Sequence, residues 1–486
     1  MTILMDKIYV GGNWQQTKEK FTNLNPTDGS IWAEVADADI EATENAIKKA
    51  NSAFKDWSKI SFNARAHYLL KIADEFEKRK DDLVSAIKSE AGGSHGKAMF
   101  ESGYIPKLFR SAASQNYQPI GEIMPSDYGK ISMAIRKPIG VVTVISPWNF
   151  PVLLSARGLA FPLAMGNTVV LKPSEETPFT GGIIFAEIFE AAGVPDGVLN
   201  VITCSKNNVG KVGDILIEHP HIKGISFTGS TPVGRMIAAK AGAHLKKCCV
   251  ELGGKDPLII CEDADIEKAA LAANFGSFFH QGQVCMSVEK ILVHEQVFEK
   301  FLDNFKRRAS KLKLGSPNES EQNSIGPIIN DNQLMKIKSQ LDDALSKGAK
   351  IELGGKIEGR FIEPTILTNI SSDMKIYDEE TFGPIVIILP FRNDEEAINL
   401  ANDSQYGLSS GVFTSNEERG FNIANSLETG MCHVNCSSIN DEPHIPFGGS
   451  KSSGLGRHGG RWSTETFTET RWVTLDRGKR PFPPAF

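Results

Sequence analysis

The sequence predicts an α/β fold built on an open parallel sheet with helices on both faces, followed by a second α/β unit. Three observations point there. Between Gly140 and Val250, five short apolar runs of strand length alternate with stretches of helix length. A further set of apolar runs begins at Pro257-Leu258-Ile259-Ile260. The chain has 486 residues, enough for roughly three domains and several buried cores.

In chain order, Asp39 to Glu90 reads as two helices. Ala46, Ala50, Ala53, Phe54 and Trp57 recur on one face, and Leu69, Leu70, Ala73 and Phe76 on another. These are core positions without chemistry. Pro119 to Pro138 is polar, broken by Gly and Pro, and ends in Ile131-Ser132-Met133-Ala134-Ile135, the pattern of an extended ribbon. Gly140 to Ile145 is the first buried strand, with a helical stretch from Leu153. Asn167 to Lys172 is the second, followed by a helix over Gly181 to Ala192. Val198 to Ile202, Ile222 to Phe227 and Lys247 to Val250 are the third, fourth and fifth. Beyond Pro257, Ile291 to Val293 and Ile385 to Leu389 continue the second unit. A Gly-rich segment, Phe447 to Gly454, leads into a β-rich polar tail able to pair with the 119–138 ribbon of this or a neighbouring chain.

Composition narrows the function. Charged residues are 23% and hydrophobic ones 41%, and 53 basic against 59 acidic side chains leave a net charge of −6. That balance, with no basic stripe, argues against nucleic acid or an anionic membrane as partner. No run reaches the roughly 18 apolar residues of a membrane span, and Met1 to Lys7 lacks the apolar core of a secretory signal. Seven cysteines make an odd, sparse set, which fits free thiols in a reducing cytoplasm. Cys432-His433-Val434-Asn435-Cys436 lacks a second ligand pair, so no metal site is expected.

In an open parallel sheet, ligands bind beyond the carboxyl ends of the strands. The residues there are Ser146-Pro147-Trp148-Asn149-Phe150, Lys172-Pro173-Ser174-Glu175, Thr228-Gly229-Ser230 and Glu251-Leu252-Gly253-Gly254-Lys255. Gly229-Ser230 opens a helix, where free N–H groups favour a phosphate, and Glu175 is placed to take ribose hydroxyls. A dinucleotide fits. The one Gly-x-Gly-x-x-Gly, Gly454 to Gly459, follows no strand and reads as a turn-rich linker. Six cysteines (Cys204, Cys248, Cys249, Cys261, Cys432, Cys436) lie in or beside apolar strands and read as small buried hydrophobes. Cys285 differs. It follows Phe278-Phe279-His280-Gln281-Gly282-Gln283-Val284, on a turn between a helix and a strand.

At these residues the chain resembles the aldehyde dehydrogenase superfamily over essentially its whole length. Val250 to Lys255 matches that family's glutamate signature and Phe278 to Cys285 its cysteine signature. Trp-Asn-Phe-Pro, Lys-Pro-Ser-Glu, Phe-Thr-Gly-Ser, Glu-Thr-Phe-Gly-Pro and Pro-Phe-Gly-Gly also stand in the family's order. The resemblance implies a Rossmann-like parallel-sheet cofactor domain (1–118 and 139–251), an α/β catalytic domain (252–452) and a β-ribbon oligomerisation element (119–138 and 453–486). It also implies a homodimer or homotetramer. Cys285 would be the nucleophile, in a site that favours its thiolate. Asn149 and the Cys285 backbone N–H would hold the oxyanion, and Glu251 would activate the water that hydrolyses the thioester. Lys172 and Glu175 would bind the cofactor's adenosine ribose and Ser230 its pyrophosphate, Ser146, Trp148 and Gly229 would also belong to the cofactor site, and Glu380 and Phe382 would position the nicotinamide half. Where many relatives carry Gly-x-Gly after the third strand, this chain has Thr203 to Asn208, leaving Gly210 to let the cofactor pass. Ser287-Val288-Glu289-Lys290 stands where many relatives have an arginine after the cysteine.

NAD is the expected cofactor, with NADP possible, because a carboxylate at Glu175 accepts from a ribose 2′-hydroxyl and repels a 2′-phosphate. Cys285-Met286-Ser287 and Asn440-Asp441-Glu442-Pro443 are similar to the branch acting on benzaldehyde-, salicylaldehyde- and vanillin-like aldehydes. Phe150, Met286 and Ile439 would wall the substrate site. Arg157 either reaches a ring hydroxyl or sits in a buried ion pair, and the sequence leaves both open. Aliphatic or semialdehyde substrates are the alternative under the same mechanism. A nitrilase-type cysteine hydrolase also needs Cys, Glu and Lys, but leaves Gly229, Ser230 and Glu175 unexplained.

Overall fold

The computed structural model describes residues 3–127 and 129–478. The aromatic-rich tail Pro481 to Phe486 lies outside the described residues.

The five predicted strands form β1 (Val141–Ile145), β2 (Thr168–Lys172), β3 (Leu199–Val201), β4 (Ile222–Thr228) and β5 (Lys247–Glu251). All neighbours among them are parallel, in the spatial order β5-β4-β1-β2-β3. Their burial on both faces matches the unbroken apolar runs. The chain winds outward from β1 to β3, then returns to β4 on the other side of β1. That reversal opens a crevice beyond β1 and β4, where such sheets hold ligands.

Strands Lys7–Val10 and Asn13–Gln16 extend this sheet beyond β3, and Gly454–Leu455 extends it beyond β5. The last of these corrects the reading of Gly454 to Gly459 as a linker. Gly454 pairs with Glu251 and Leu455 with Val250. A Cβ at Gly454, whose φ is +154°, would strike the Val250 carbonyl, so glycine is required for the approach.

A second sheet of seven strands is centred on β6 (Asp256–Ile260), β7 (Val288–His294), β8 (Ile385–Phe391) and β9 (Gly411–Phe413), in the order β8-β7-β6-β9. The ribbon strands Gly121–Met124 and Ile131–Pro138 pair antiparallel with Thr468–Leu475 of the same chain.

The Asp39–Glu90 segment forms three helices rather than two: Ile40–Trp57, Phe62–Lys78 and Lys80–Glu90. Ser61 caps the second by accepting from the Ala64 N–H. Arg79 interrupts the chain at ψ +14° and turns to pair with Asp82 and Glu187. Leu70 is exposed, and Ala53 and Phe54 are half-buried. The helix expected from Gly181 begins earlier, as a wide π turn over Phe179–Ile183. Its first N–H groups, on Phe179 and Thr180, donate to the buried Glu90 carboxylate. The six non-nucleophilic cysteines are not uniformly buried either. Cys436 is exposed, and Cys248 and Cys432 are half-buried.

Candidate active site

The crevice between the two sheets gathers Trp148, Asn149, Gly229, Ser230, Glu251, Cys285, Glu380 and Phe382 in one cleft. Each is placed by its strand end.

After β1 the chain turns into helix α1 (Pro151–Ala164), which starts on a proline with no side-chain cap of its own at Phe150. A buried carboxylate takes that role. Glu101 accepts from the Leu153 N–H at 2.9 Å and pairs with the fully buried Lys97, whose ammonium lies 4.6 Å from the Phe150 ring centre. This holds Asn149, which donates from Nδ2 to the Gln283 carbonyl at 3.0 Å. That bond uses one of the two amide hydrogens of Asn149. The Cys285 backbone N–H donates to no backbone carbonyl among the described residues. Two donors therefore remain beside the thiol for a developing oxyanion.

The turn before the nucleophile is strained. His280 (φ +50°), Gln281 (φ +55°) and Gly282 (φ +70°) are consecutive left-handed residues. Side chains enforce it: Gln281 donates to the Gly92 and Pro327 carbonyls, and Gln283 accepts from the Ile329 N–H. His280 is buried against Phe150, and burial holds its imidazole well below the usual range, so it is neutral.

Cys285 is half-buried at the cleft. Burial pushes its thiol well up, and the neighbouring Glu251 carboxyl adds to the rise. Glu251 ends β5, fully buried, with both oxygens lacking a hydrogen-bond partner. Burial lifts its pKa to about 7, against the pull of Arg157. An orphaned buried carboxyl next to a thiol suits a base that exchanges protons with water.

Glu380 and Phe382 sit on a loop braced from below. Glu289, on β7, accepts from the Thr381 and Phe382 N–H groups at 2.7 and 2.8 Å and from Lys255 at 2.8 Å. Gln333 donates to both carbonyls of the same pair. Phe382, at φ +54°, presents its ring edge to Trp148 at 5.4 Å. Glu380 accepts from the Gly254 N–H at 3.3 Å, and a Cβ at Gly253 would strike its carboxyl. Burial lifts the Glu380 pKa to about 7.

On the far side of the crevice, Lys172 and Glu175 lie 3.8 Å apart. Ser230 begins helix α2 (Thr231–Ala243) without a side-chain cap, so its hydroxyl and the first N–H groups face the cleft unspent. Ser146 is less available, because its hydroxyl bonds Ser155 at 2.6 Å. Gly210 lies on the exposed first turn of Val209–Glu218 and is not among the residues lining the cleft.

A cavity of about 650 Å³ leads to Cys285 from the opposite side, and Phe150, Arg157, Met286 and Ile439 all line it. Phe275, Phe278, Phe279 and Phe447 complete an aromatic wall. Of the two readings of Arg157, the structure shows the buried ion pair. It lines the cavity, and it is also paired with Asp441 and lies 3.8 Å from the Phe447 ring centre. Among the described residues no group of three or more His, Cys, Asp or Glu is gathered as metal ligands, and no helix is long and apolar enough to cross a membrane.

Residues 14–473 match the model of the aldehyde dehydrogenase family. The chain belongs to that family. It is 41% identical to a benzaldehyde dehydrogenase of Bacillus subtilis, over 99% of both chains. It is 40% identical to a vanillin dehydrogenase of Pseudomonas fluorescens, over 95% of this chain and 96% of the other. Among solved structures, a salicylaldehyde dehydrogenase from Pseudomonas putida G7, in complex with salicylaldehyde, superposes with a TM-score of 0.97 at 39% identity, covering 99% of this chain and 100% of that one. A betaine aldehyde dehydrogenase from Staphylococcus aureus in complex with NAD+ superposes at 0.95 with 32% identity, covering 99% and 97%.

For an aldehyde dehydrogenase, the residues missed from sequence are instructive. Glu289, Lys255 and Gln333 brace the Glu380 loop, and Asp441 and Phe447 hold Arg157. The four-residue run Ser287 to Lys290 had been noted only as a departure from relatives, yet it supplies the central acid of that brace. In the second group, Asp441 falls in the Asn440 to Pro443 run and Phe447 in Pro-Phe-Gly-Gly, but neither motif points to Arg157.

Proposed function

We propose that this aldehyde dehydrogenase oxidises an aromatic aldehyde to its carboxylic acid with NAD as acceptor. The observation that carries the reading is the cavity: aromatic side chains wall a path that ends at Cys285, facing the dinucleotide cleft across the thiol. Ring walls of this kind stack on planar substrates and give little to short aliphatic ones. The relatives named for benzaldehyde, vanillin and salicylaldehyde support the same class.

The cleft fits a dinucleotide. Its close glycine approach at Gly253 and the open start of α2 are parts such a ligand needs, and the buried Lys172 stands at the neighbouring strand end. Lys172 and Glu175 would hold the adenosine ribose, Ser230 the pyrophosphate, and Glu380 with Phe382 and Trp148 the nicotinamide half. The carboxylate of Glu175 favours NAD over NADP, and the NAD+-bound relative supports a dinucleotide in this place.

The chain's own residues then do the following. The Cys285 proton passes to solvent, and the thiolate sulfur bonds to the aldehyde carbon as the C=O π pair moves to oxygen, forming a thiohemiacetal oxyanion. Asn149 and the Cys285 N–H hold the oxygen. The bound nicotinamide ring supplies a hydride acceptor. Loss of hydride from the thiohemiacetal carbon leaves a thioester on Cys285. Glu251 takes a proton from water, the water oxygen bonds to the thioester carbon, and the C–S bond breaks to release the acid and restore the thiol.

The ribbon supports self-association into a homodimer or homotetramer, because Ile123 and Trp472 on it are 79% and 75% exposed. The seven cysteines are unpaired, which suits a cytoplasmic enzyme.

An aldehyde panel with both cofactors tests the activity. Benzaldehyde and vanillin should be oxidised more efficiently than short aliphatic aldehydes, with NAD preferred. Cys285→Ala should abolish turnover. Faster aliphatic turnover would overturn the aromatic reading.

A further inference from the structure

The cavity to Cys285 contains one side chain of fixed positive charge among the described residues, Arg157, and that charge is already answered. Arg157 and Asp441, with side chains 4% and 8% exposed, pair in the cavity wall. The guanidinium is also held over the Phe447 ring. A second acid, Glu321, lines the same cavity 3.6 Å from His95. An incoming carboxylate therefore meets no free cation, and would have to displace Asp441 from a buried pair. A neutral ring pays no such penalty.

We propose that Asp441 is a specificity-determining residue: by occupying Arg157, it closes the cavity to aldehydes that carry a carboxylate and keeps it open to neutral ones. The proposal rests on the aromatic-aldehyde reading and names its charge selection. An arginine beside a nucleophile would otherwise be a ready receptor for carboxylates, through its forked donors. Discrimination here comes from a built-in competitor rather than from a new contact to substrate.

The test compares kcat/KM for benzaldehyde, 3- and 4-carboxybenzaldehyde, butanal and succinic semialdehyde, in wild type, Asp441→Asn and Arg157→Gln. Wild type should use the carboxylated aldehydes at least about a hundredfold less efficiently than their neutral partners. Equal use would overturn the proposal without any variant. In Asp441→Asn, which keeps a hydrogen-bonding side chain of the same shape, the carboxylated-to-neutral ratio should rise about tenfold or more. An unchanged ratio in folded protein, checked by thermal melting, would overturn it. Arg157→Gln leaves Asp441 unmasked. It should lower that ratio further and raise use of 4-(trimethylammonio)benzaldehyde; no change in either would overturn the proposal. The aromatic reading fails separately, if butanal outruns benzaldehyde. The butanal to succinic semialdehyde ratio then still tests Asp441.

Discussion

Glu251 sits where activity and stability pull apart. A water-activating base must lose its proton, and burial resists that loss, so its pKa stands at about 7. Hydrolysis of the thioester should therefore rise with pH through about 7 and level off above it. Rapid-quench measurement of acid release across pH 5.5–8.5 checks this; a rate flat down to pH 5.5 would remove Glu251 as the base. Glu251→Gln should cut hydrolysis by roughly 10²- to 10⁴-fold while leaving a first-turnover burst of reduced cofactor. Stability moves the other way. Unfolded, the carboxyl titrates near 4.5; folded, near 7. Between those values the folded chain holds the extra proton, so raising the pH across this window costs stability, and the full cost is reached above 7. At pH 8 Glu251→Gln should melt higher than wild type by about 1–3 °C, and the difference should shrink near pH 5. A lower melting point for the variant at pH 8 would mean the carboxylate is better paired than the structure shows.

At the scale of elements, the site depends on a brace between β7 and the loop carrying Glu380. Glu289 stands at the start of β7, four residues after Cys285, and holds two backbone N–H groups and Lys255. Glu289→Ala would leave the Lys255 ammonium buried without its carboxylate, a loss of about 3–5 kcal/mol. It would also free Phe382 from its left-handed conformation. The expected result is a rise of tenfold or more in the KM for NAD, with a smaller change in kcat, and partial recovery in Glu289→Gln. A KM for NAD equal to wild type would show that the brace is structural only. Why this brace escaped the sequence while Cys285, Glu251 and Asn149 did not is a matter of range. Asn149 and Glu251 each close a local motif at a strand end, so alternation of strands and helices places them on one edge, and Cys285 stands in a local motif of its own between a helix and β7. Glu289 meets its partners 92 and 93 residues away, and Arg157 meets Asp441 across 284. The first is set by which strands become neighbours within the second sheet, and the second by how the two α/β units dock, and no periodicity encodes either. Gly and Gln around Cys285 look like a wet loop in sequence, but Gln281 and Gln283 turn inward to bond backbone. The third helix before Glu90 was missed because Arg79 is a good helix former; it breaks the helix through the ion pairs it makes, not through its propensity.

At the scale of the whole molecule, the ribbon is where strand edges and apolar side chains are left exposed. Three antiparallel strands, Gly121–Met124, Ile131–Pro138 and Thr468–Leu475, form a separate small sheet. Both outer strands have open edges, and a three-stranded sheet needs an apolar face covered to be stable in water. Ile120, Ile123, Met124, Trp472 and Leu475 are all exposed on or beside it. Charges do not protect these edges evenly: Arg471 and Glu469 lie on one strand, while Gly121–Met124 carries a single acid, Glu122. On the proposed self-association, a second copy would supply both a strand edge and an apolar cover, with closed symmetry making the same patch serve both chains. The enzyme should sediment at a multiple of its 53.1 kDa chain mass. Ile123→Lys with Trp472→Glu should reduce that multiple while leaving the far-UV spectrum intact, because neither side chain enters a core cluster of the chain. Since the ribbon runs directly into β1 at Val141, and β1 delivers Asn149, loosening it should also lower kcat at enzyme concentrations below the dissociation constant and restore it above. A variant that stays at the wild-type mass would place the association on another face of the molecule.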